Sequence, residues 1–250
     1  MESVLRHPLR KDQAALWSLG QAGYVIRDAR RTVVIDPYLT DSVGAVSPDF
    51  SRLAPPPLQP EELQADVYIV THDHLDHLDP ETVKRYPHRK TTTFVAPRLA
   101  CRKLATLGVP RKNIVRIDSG EEAVIRGVAV RGVYAVPTEP DAIDTCGYRI
   151  EFSNGRSVYH SADTACSELL LDAAPKAELL LVCINAKWGN LNAGEAARLT
   201  ARVAPKFAIP NHYDLMALNS ENPQTFACFV READPSVQVK ILRVMEHFIW

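Results

Sequence analysis

The residues best suited to chemistry form one run, Thr71-His72-Asp73-His74-Leu75-Asp76-His77. It follows residues 66–71 (DVYIVT), an unbroken apolar stretch of the kind that makes a strand buried on both faces. In extended backbone, residues two apart point the same way, so His72 and His74 can approach one ion together. A turn after Leu75 then brings Asp76 and His77 alongside. Neutral imidazole and carboxylate are ligands for Zn, Mn, Fe or Ni. A polar loop of solvated histidines is the competing reading, and the order of the residues disfavours it.

Further ligands are expected at other strand ends. Asp36 closes the β-branched run 32–35. His160-Ser161-Ala162-Asp163-Thr164 follows a hairpin strand, and Asn211-His212-Tyr213-Asp214 follows residues 207–210. A carboxylate such as Asp163 can bridge two ions, which in two-metal hydrolases lie roughly 3.5–4 Å apart. A single histidine at a strand end is more often a hydrogen-bonded structural residue, so the joint pattern carries the reading, not His212 alone.

These residues need a scaffold, and the patterning predicts one. Residues 15–18 and 24–27, separated by Gly20 and Gly23, suggest a hairpin. The proline-rich stretch 41–60 predicts a long loop, a frequent form of functional lid. A helix is expected over 97–107, stopped by Gly108 and Pro110. Residues 113–117, 122–125 and 128–136 suggest a three-stranded meander. The pair 147–152 and 157–160 flanks Asn154-Gly155, a strong hairpin signal. The second half alternates: helix 165–173, strand 178–184, helix 192–203, strand 207–210, a helix from Asn222-Pro223 to about 233, and a strand over 237–243. Asn192 and Glu195 have the spacing of a capping box. Hairpins in the first half, where crossover helices would be needed, favour two sheets flanked by helices over one doubly wound sheet.

Composition sets outer bounds. The 250 residues are 46% apolar and 24% charged, an ordinary globular balance. The absence of a linker predicts one domain over 1–250. Such a chain buries a core without disulfides or structural metal, so a metal here serves chemistry. With 29 basic and 30 acidic residues and no basic run, there is no electrostatic footprint for nucleic acid. Cys101, Cys146, Cys166, Cys183 and Cys228 form no C-x-x-C pair and read as reduced, mostly buried thiols. The N-terminal residues lack the apolar core of a signal peptide, and no apolar run reaches membrane-spanning length. A cytoplasmic location follows by default. The apolar end, His247-Phe248-Ile249-Trp250, is expected to pack on the core in preference to a subunit interface, a homo-oligomer being the other outcome.

The order Asp36, His72-x-His74-x-Asp76-His77, Asp163 and His212 resembles the metallo-β-lactamase superfamily over nearly the whole chain. More narrowly, residues 17–23 (WSLGQAG), 34–36, THDHLDHLD, 157–164 (SVYHSADT) and 208–215 (AIPNHYDL) resemble the ascorbate-6-phosphate lactonase family of bacteria. The resemblance implies a four-layer αββα sandwich with a metal site in a cleft along one edge of the sheets. Carried over by position, His72 and His74 would bind a first ion. Asp76, His77 and His212 would bind or flank a second, Asp163 would bridge, and Asp36 would orient a ligand histidine from behind. The superfamily's third histidine of the first site should follow Val136-Pro137. Here Thr138-Glu139-Pro140-Asp141 stands instead, so Glu139 or Asp141 is the candidate substitute. The more oxygen-rich shell shifts preference from Zn toward Mn, as one ion or two.

The chemistry implied is attack of metal-activated water on a carbonyl carbon. Asp76 would orient the water and take its proton, with His77 and Asp163 completing the catalytic group. Lys187 is a candidate partner for an anionic group on a small, sugar-like or phosphorylated lactone or ester, and Trp188, Asn190 and Tyr213 are candidates to line the pocket. The alternatives are a phosphodiesterase or nuclease on the same site, or a metal- or ligand-sensing module without catalysis.

Overall fold

The computed structural model describes residues 1–140 and 142–250. The chain runs α1 (Glu2–Arg6), β1 (Ala14–Gly20), β2 (Gly23–Asp28), β3 (Thr32–Ile35), α2 (Ser42–Val46), β4 (Val67–Ile69), α3 (Pro80–Arg85), β5 (Thr93–Ala96), α4 (Arg98–Thr106), β6 (Ile114–Arg116), β7 (Glu122–Ile125), β8 (Val128–Tyr134), β9 (Cys146–Glu151), β10 (Ser157–His160), α5 (Glu168–Ala173), β11 (Leu179–Cys183), α6 (Ala193–Val203), β12 (Phe207–Asn211), α7 (Pro223–Ala233), β13 (Gln238–Val239) and β14 (His247–Ile249).

Among the described residues the strands form two seven-stranded sheets, ordered β14-β1-β2-β3-β4-β5-β6 and β13-β12-β11-β10-β9-β8-β7. The apolar runs explain the layering, because alternate side chains of one strand enter different cores. In β11, Leu179 and Leu181 face the core between the sheets, with Val33, Ile35, Val67 and Ile69 of the first sheet and Val130, Tyr148, Ile150 and Val158 of the second. Leu180 and Val182 of the same strand meet Leu170, Leu199, Phe226 and Val230 of α5, α6 and α7. On the opposite side, Val34, Tyr68 and Phe94 lie beneath Val83, Ala100 and Leu104 of α3 and α4. Strands buried on both faces between helical layers give the αββα order expected from the resemblance.

Several predicted elements differ in detail. Residues 113–117, 122–125 and 128–136 do not form one meander. β6 pairs in parallel with β5 at the edge of the first sheet, while β7 and β8 open the second. The break falls at Asp118-Ser119-Gly120, where Gly120 is left-handed with φ 85°. Short apolar runs carry no signal of which sheet they will join. β5 is a strand beyond those expected from the sequence pattern, and the strand expected over 237–243 shrinks to β13. Instead β14 pairs antiparallel with β1, which places Trp250 in the inter-sheet core. The 41–60 stretch carries α2 and two short 3₁₀ turns. It is strapped to the segment after β12 by a bond from Leu53 N–H to Leu215 O at 2.8 Å.

Two capping signals hold as read. The Asn192 and Glu195 side chains cap each other's backbone N–H groups at the start of α6, and the Asn222 side chain accepts from Gln224 N–H at α7. All five cysteines are free, but Cys228 is exposed because it lies on the outer face of α7. No helix among the described residues is long and apolar enough to cross a membrane.

Candidate metal centre

The predicted site residues converge where strands of both sheets end. β3 and β4 are parallel neighbours, and their carboxyl ends deliver Asp36 and the Thr71–His77 run. β10, β11 and β12 are also parallel, and their ends deliver Asp163 and His212. Ligands in sheet proteins commonly gather beyond the carboxyl ends of parallel strands. Backbone bonds stitch the sheets at this edge, from Cys146 N–H to Thr71 O and from His212 N–H to Gln21 O, both at 3.0 Å. Asp36, Ala162 and His212 have φ of 43°, 60° and 64°. Left-handed backbone at non-glycine residues is costly and tends to persist at functional sites. Here it turns each chain out of its strand beside the cleft. Gly23 permits the tight join, because a Cβ there would lie 2.8 Å from Asp36 O.

Asp36 is fully buried and spans two elements. Its Oδ1 accepts from Thr71 N–H at 2.8 Å, and its Oδ2 accepts from Thr71 Oγ1 at 2.6 Å. His77 Nδ1 lies 2.8 Å from the same Oδ2. A carboxylate on Nδ1 fixes the ring and leaves Nε2 to face the site. That Nε2 and Asp163 Oδ1 are both buried without a hydrogen-bond partner, yet they lie 3.4 Å apart. His212 Nε2 is 3.2 Å from Asp163 Oδ2 and 3.3 Å from Asp76 Oδ2. His77 Nε2 is 3.6 Å from Asp76 Oδ2. Two groupings have ligand atoms within 4.8 Å of one another: His72, His77 and Asp163, and Asp76, His77 and His212. His74 joins through His72, its Nδ1 lying 3.0 Å from His72 Nε2. Buried polar atoms normally find partners. His77 Nε2 and Asp163 Oδ1 have none, and with the imidazole nitrogens and carboxylate oxygens gathered around them they fit a divalent cation.

The electrostatics agree. Burial disfavours the cation at His212, but Asp163 and Asp76 outweigh it and lift its pKa to about 9. Burial likewise opposes charge on His77, and Asp163, Asp76 and Asp36 together hold it well above the ordinary histidine range. Burial would raise Asp163, but His212 and His77 pull it well below the usual carboxylate value. His72 is pushed down by burial and by neighbouring His77. Without metal the site thus keeps its charges balanced with protons on imidazole, the positions a cation would take.

Several residues stand apart from their predicted roles. Glu139 lines the cleft, its Oε2 lying 3.9 Å from His74 Nε2. Asp141 lies outside the described residues. Lys187 is exposed and does not line the cleft. Ala186 and Trp188 are left-handed at φ 56° and 55°, and the loop holds Trp188 at the cleft mouth and Lys187 in solvent. Tyr213 is half-buried and opens on a different cavity, its hydroxyl reaching toward Leu242 O at 3.5 Å. His160 is structural: Ala162 N–H donates to its Nδ1 at 3.1 Å, and its Nε2 lies 2.9 Å from Ala22 O.

Two residues were not among the predicted ligand supports. Gln21 donates from Nε2 to Asp76 Oδ2 at 2.8 Å, and Asn190 donates from Nδ2 to Asp163 Oδ2 at 2.7 Å. A polar side chain between Gly20 and Gly23 in a hairpin turn was the available signal for Gln21. Asn190, a candidate for the pocket lining, carried no signal of its bond to Asp163.

Comparison with known proteins agrees with this geometry. The family described as Beta-lactamase superfamily domain matches residues 31–213. Among curated relatives, a UPF0173 metal-dependent hydrolase of Archaeoglobus fulgidus is 28% identical, covering 92% of this chain and 96% of its own length. One of Methanobrevibacter smithii is 25% identical, covering 92% and 94%. Among solved structures, Igni18, a metallo hydrolase from Ignicoccus hospitalis, superposes with a TM-score of 0.74 at 20% identity, covering 95% of this chain and 98% of its own. Strand order, convergent ligands and family match lead to one assignment: the chain belongs to the beta-lactamase superfamily, among relatives that are metal-dependent hydrolases.

Proposed function

We propose that the chain is a metal-dependent hydrolase that opens an ester or lactone of a small molecule with activated water. One observation carries this reading. His77 Nε2 and Asp163 Oδ1 are buried, unpartnered and 3.4 Å apart, with His77 oriented from behind by Asp36. His72, His74 and Glu139 would hold one ion, Asp76, His77 and His212 a second, and Asp163 both. Glu139 would stand in for the missing third histidine; its Oε2 lies 3.9 Å from His74 Nε2. Carboxylates in the shell favour Mn beside Zn.

A bound divalent ion supplies Lewis acidity and brings the pKa of water toward neutrality. Gln21 fixes the Asp76 carboxylate, which borders the cleft and accepts the proton released as water attacks the acyl carbon. Burial opposes charge on Asp76, but His77 and His212 hold its pKa below the usual carboxylate range. That shift belongs to imidazoles that carry protons. A bound ion would take over that positive charge and would acidify the water as well, so that a weakly basic carboxylate can accept the proton. Asn190 keeps Asp163 in place from the cleft side.

The test is metal content together with turnover of a lactone, an ester and a phosphodiester, before and after chelation and re-addition of Mn or Zn. Chelation-sensitive ester or lactone turnover is expected. Failure to bind either metal would overturn the proposal. Glu139→Ala should weaken one of two metal-binding events by ten-fold or more, and Glu139→His should restore it.

A further inference from the structure

We infer that the cleft selects an uncharged substrate with an aromatic or aliphatic body and excludes phosphorylated or carboxylated ones. This rests on the hydrolase reading above and concerns which molecules reach the reacting atoms. The cleft is about 320 Å³, near the small end of ligand pockets. Its floor is the metal centre; Val43, Phe50, Trp188 and Met216 are the apolar part of its walls, and the uncharged Thr138, Asn190 and Asn219 the polar part. The Phe50 and Trp188 rings stand 5.8 Å apart, tilted by 55°, in contact with each other, so together they form one apolar wall on which a flat or aliphatic group can lie. Trp188 is 53% exposed and is held at the mouth by left-handed backbone, a strained choice for a bulky residue that persists where position matters. The apolar character extends outward. Val46, Leu53 and Leu218 are 75%, 63% and 53% exposed and belong to the two segments that wall the cleft, joined by the Arg52–Met216 bridge.

Charge argues the same way. Among the described residues lining the cleft there is no lysine or arginine, and the carboxylates are Asp76, Glu139 and Asp163. Arg52 is turned away, donating to Tyr38 O at 2.8 Å and lying 5.0 Å from the Tyr38 ring centroid. Lys187 faces solvent. A phosphate or carboxylate on the distal part of a substrate would lose hydration and gain no basic partner. With Asp36 behind His77, the site's four carboxylates would match the four positive charges of two divalent ions, so the metal centre does not replace a basic pocket further out.

The test compares phenyl acetate with 4-acetoxybenzoate on the metal-loaded protein, the two esters differing only in a carboxylate remote from the reacting carbonyl. We expect kcat/KM to be at least ten-fold higher for phenyl acetate. Trp188→Ala should raise KM several-fold with kcat little changed, Trp188→Phe should recover most of it, and Val43→Lys should narrow the gap by improving the charged ester. Quenching of Trp188 fluorescence in the metal-free protein, with Trp188→Phe as the blank, gives binding without turnover, using phenol against 4-hydroxybenzoate. Preference for the charged member in either assay would overturn the inference while leaving hydrolysis standing. Quenching by phenol alone, with no turnover of either ester, would uphold it and count against the hydrolase; no quenching by either would overturn it.

Discussion

Asp36→Asn separates a metal-positioning role from a merely structural one. The Asp36 carboxylate makes three short contacts, to Thr71 N–H, to Thr71 Oγ1 and to His77 Nδ1, at 2.8, 2.6 and 2.8 Å. An amide of the same shape keeps an acceptor for Thr71 but presents N–H where His77 needs an anion. His77 Nδ1 must then accept, which leaves the proton on Nε2, the atom that faces Asp163. Loss of such a partner behind a ligand typically costs 10- to 100-fold in metal affinity, or roughly 1.4–2.8 kcal/mol. Asp36→Ala also strands the buried Thr71 N–H and an imidazole, and should cost about 3–5 kcal/mol of stability. The assay is competition for Zn or Mn against a chromophoric chelator, with urea denaturation of the metal-free protein in parallel. The reasoning is refuted if Asp36→Asn loses stability but binds metal as tightly as the parent, for then Asp36 only braces Thr71.

Other perturbations probe the rest of the site. Gln21→Asn tolerates the local φ of 52° but is one methylene too short to reach Asp76; kcat should fall about ten-fold with little change in Tm. In the metal-free protein the His212 pKa of about 9 lies above its unfolded value near 6.5. Its contribution to stability is therefore complete below about pH 6.5 and lost as pH rises through about 9, which urea midpoints across pH 6–10 would show. The same proton must leave when an ion binds, so calorimetry in buffers of different ionisation enthalpy should find at least one proton released per protein at pH 7 and fewer above pH 9. Asn192→Ala removes a side-chain acceptor 2.9 Å from Glu195 N–H; it should cost about 1 kcal/mol and leave metal affinity unchanged.

The local parts of the protein were legible in its sequence. The buried run before Thr71, the Asn154-Gly155 hairpin and the Asn192 cap are short-range features whose signals lie within a few residues of one another. The spacing of His72, His74, Asp76 and His77 is likewise local, so the heart of the site was legible; strand-end position pointed to its distant members, Asp36, Asp163 and His212, and the resemblance gave each a role. The tertiary structure decided what depends on long-range pairing. It split 113–136 between two sheets and closed the first sheet with β14. It brought Gln21 against Asp76, 55 residues away in the chain. It also turned Lys187 to solvent and Trp188 to the cleft, in a loop whose backbone is left-handed at Ala186 and Trp188. Periodicity reports which face of an element is apolar but not which partner that face will meet, and side-chain direction in an irregular loop leaves no periodic trace.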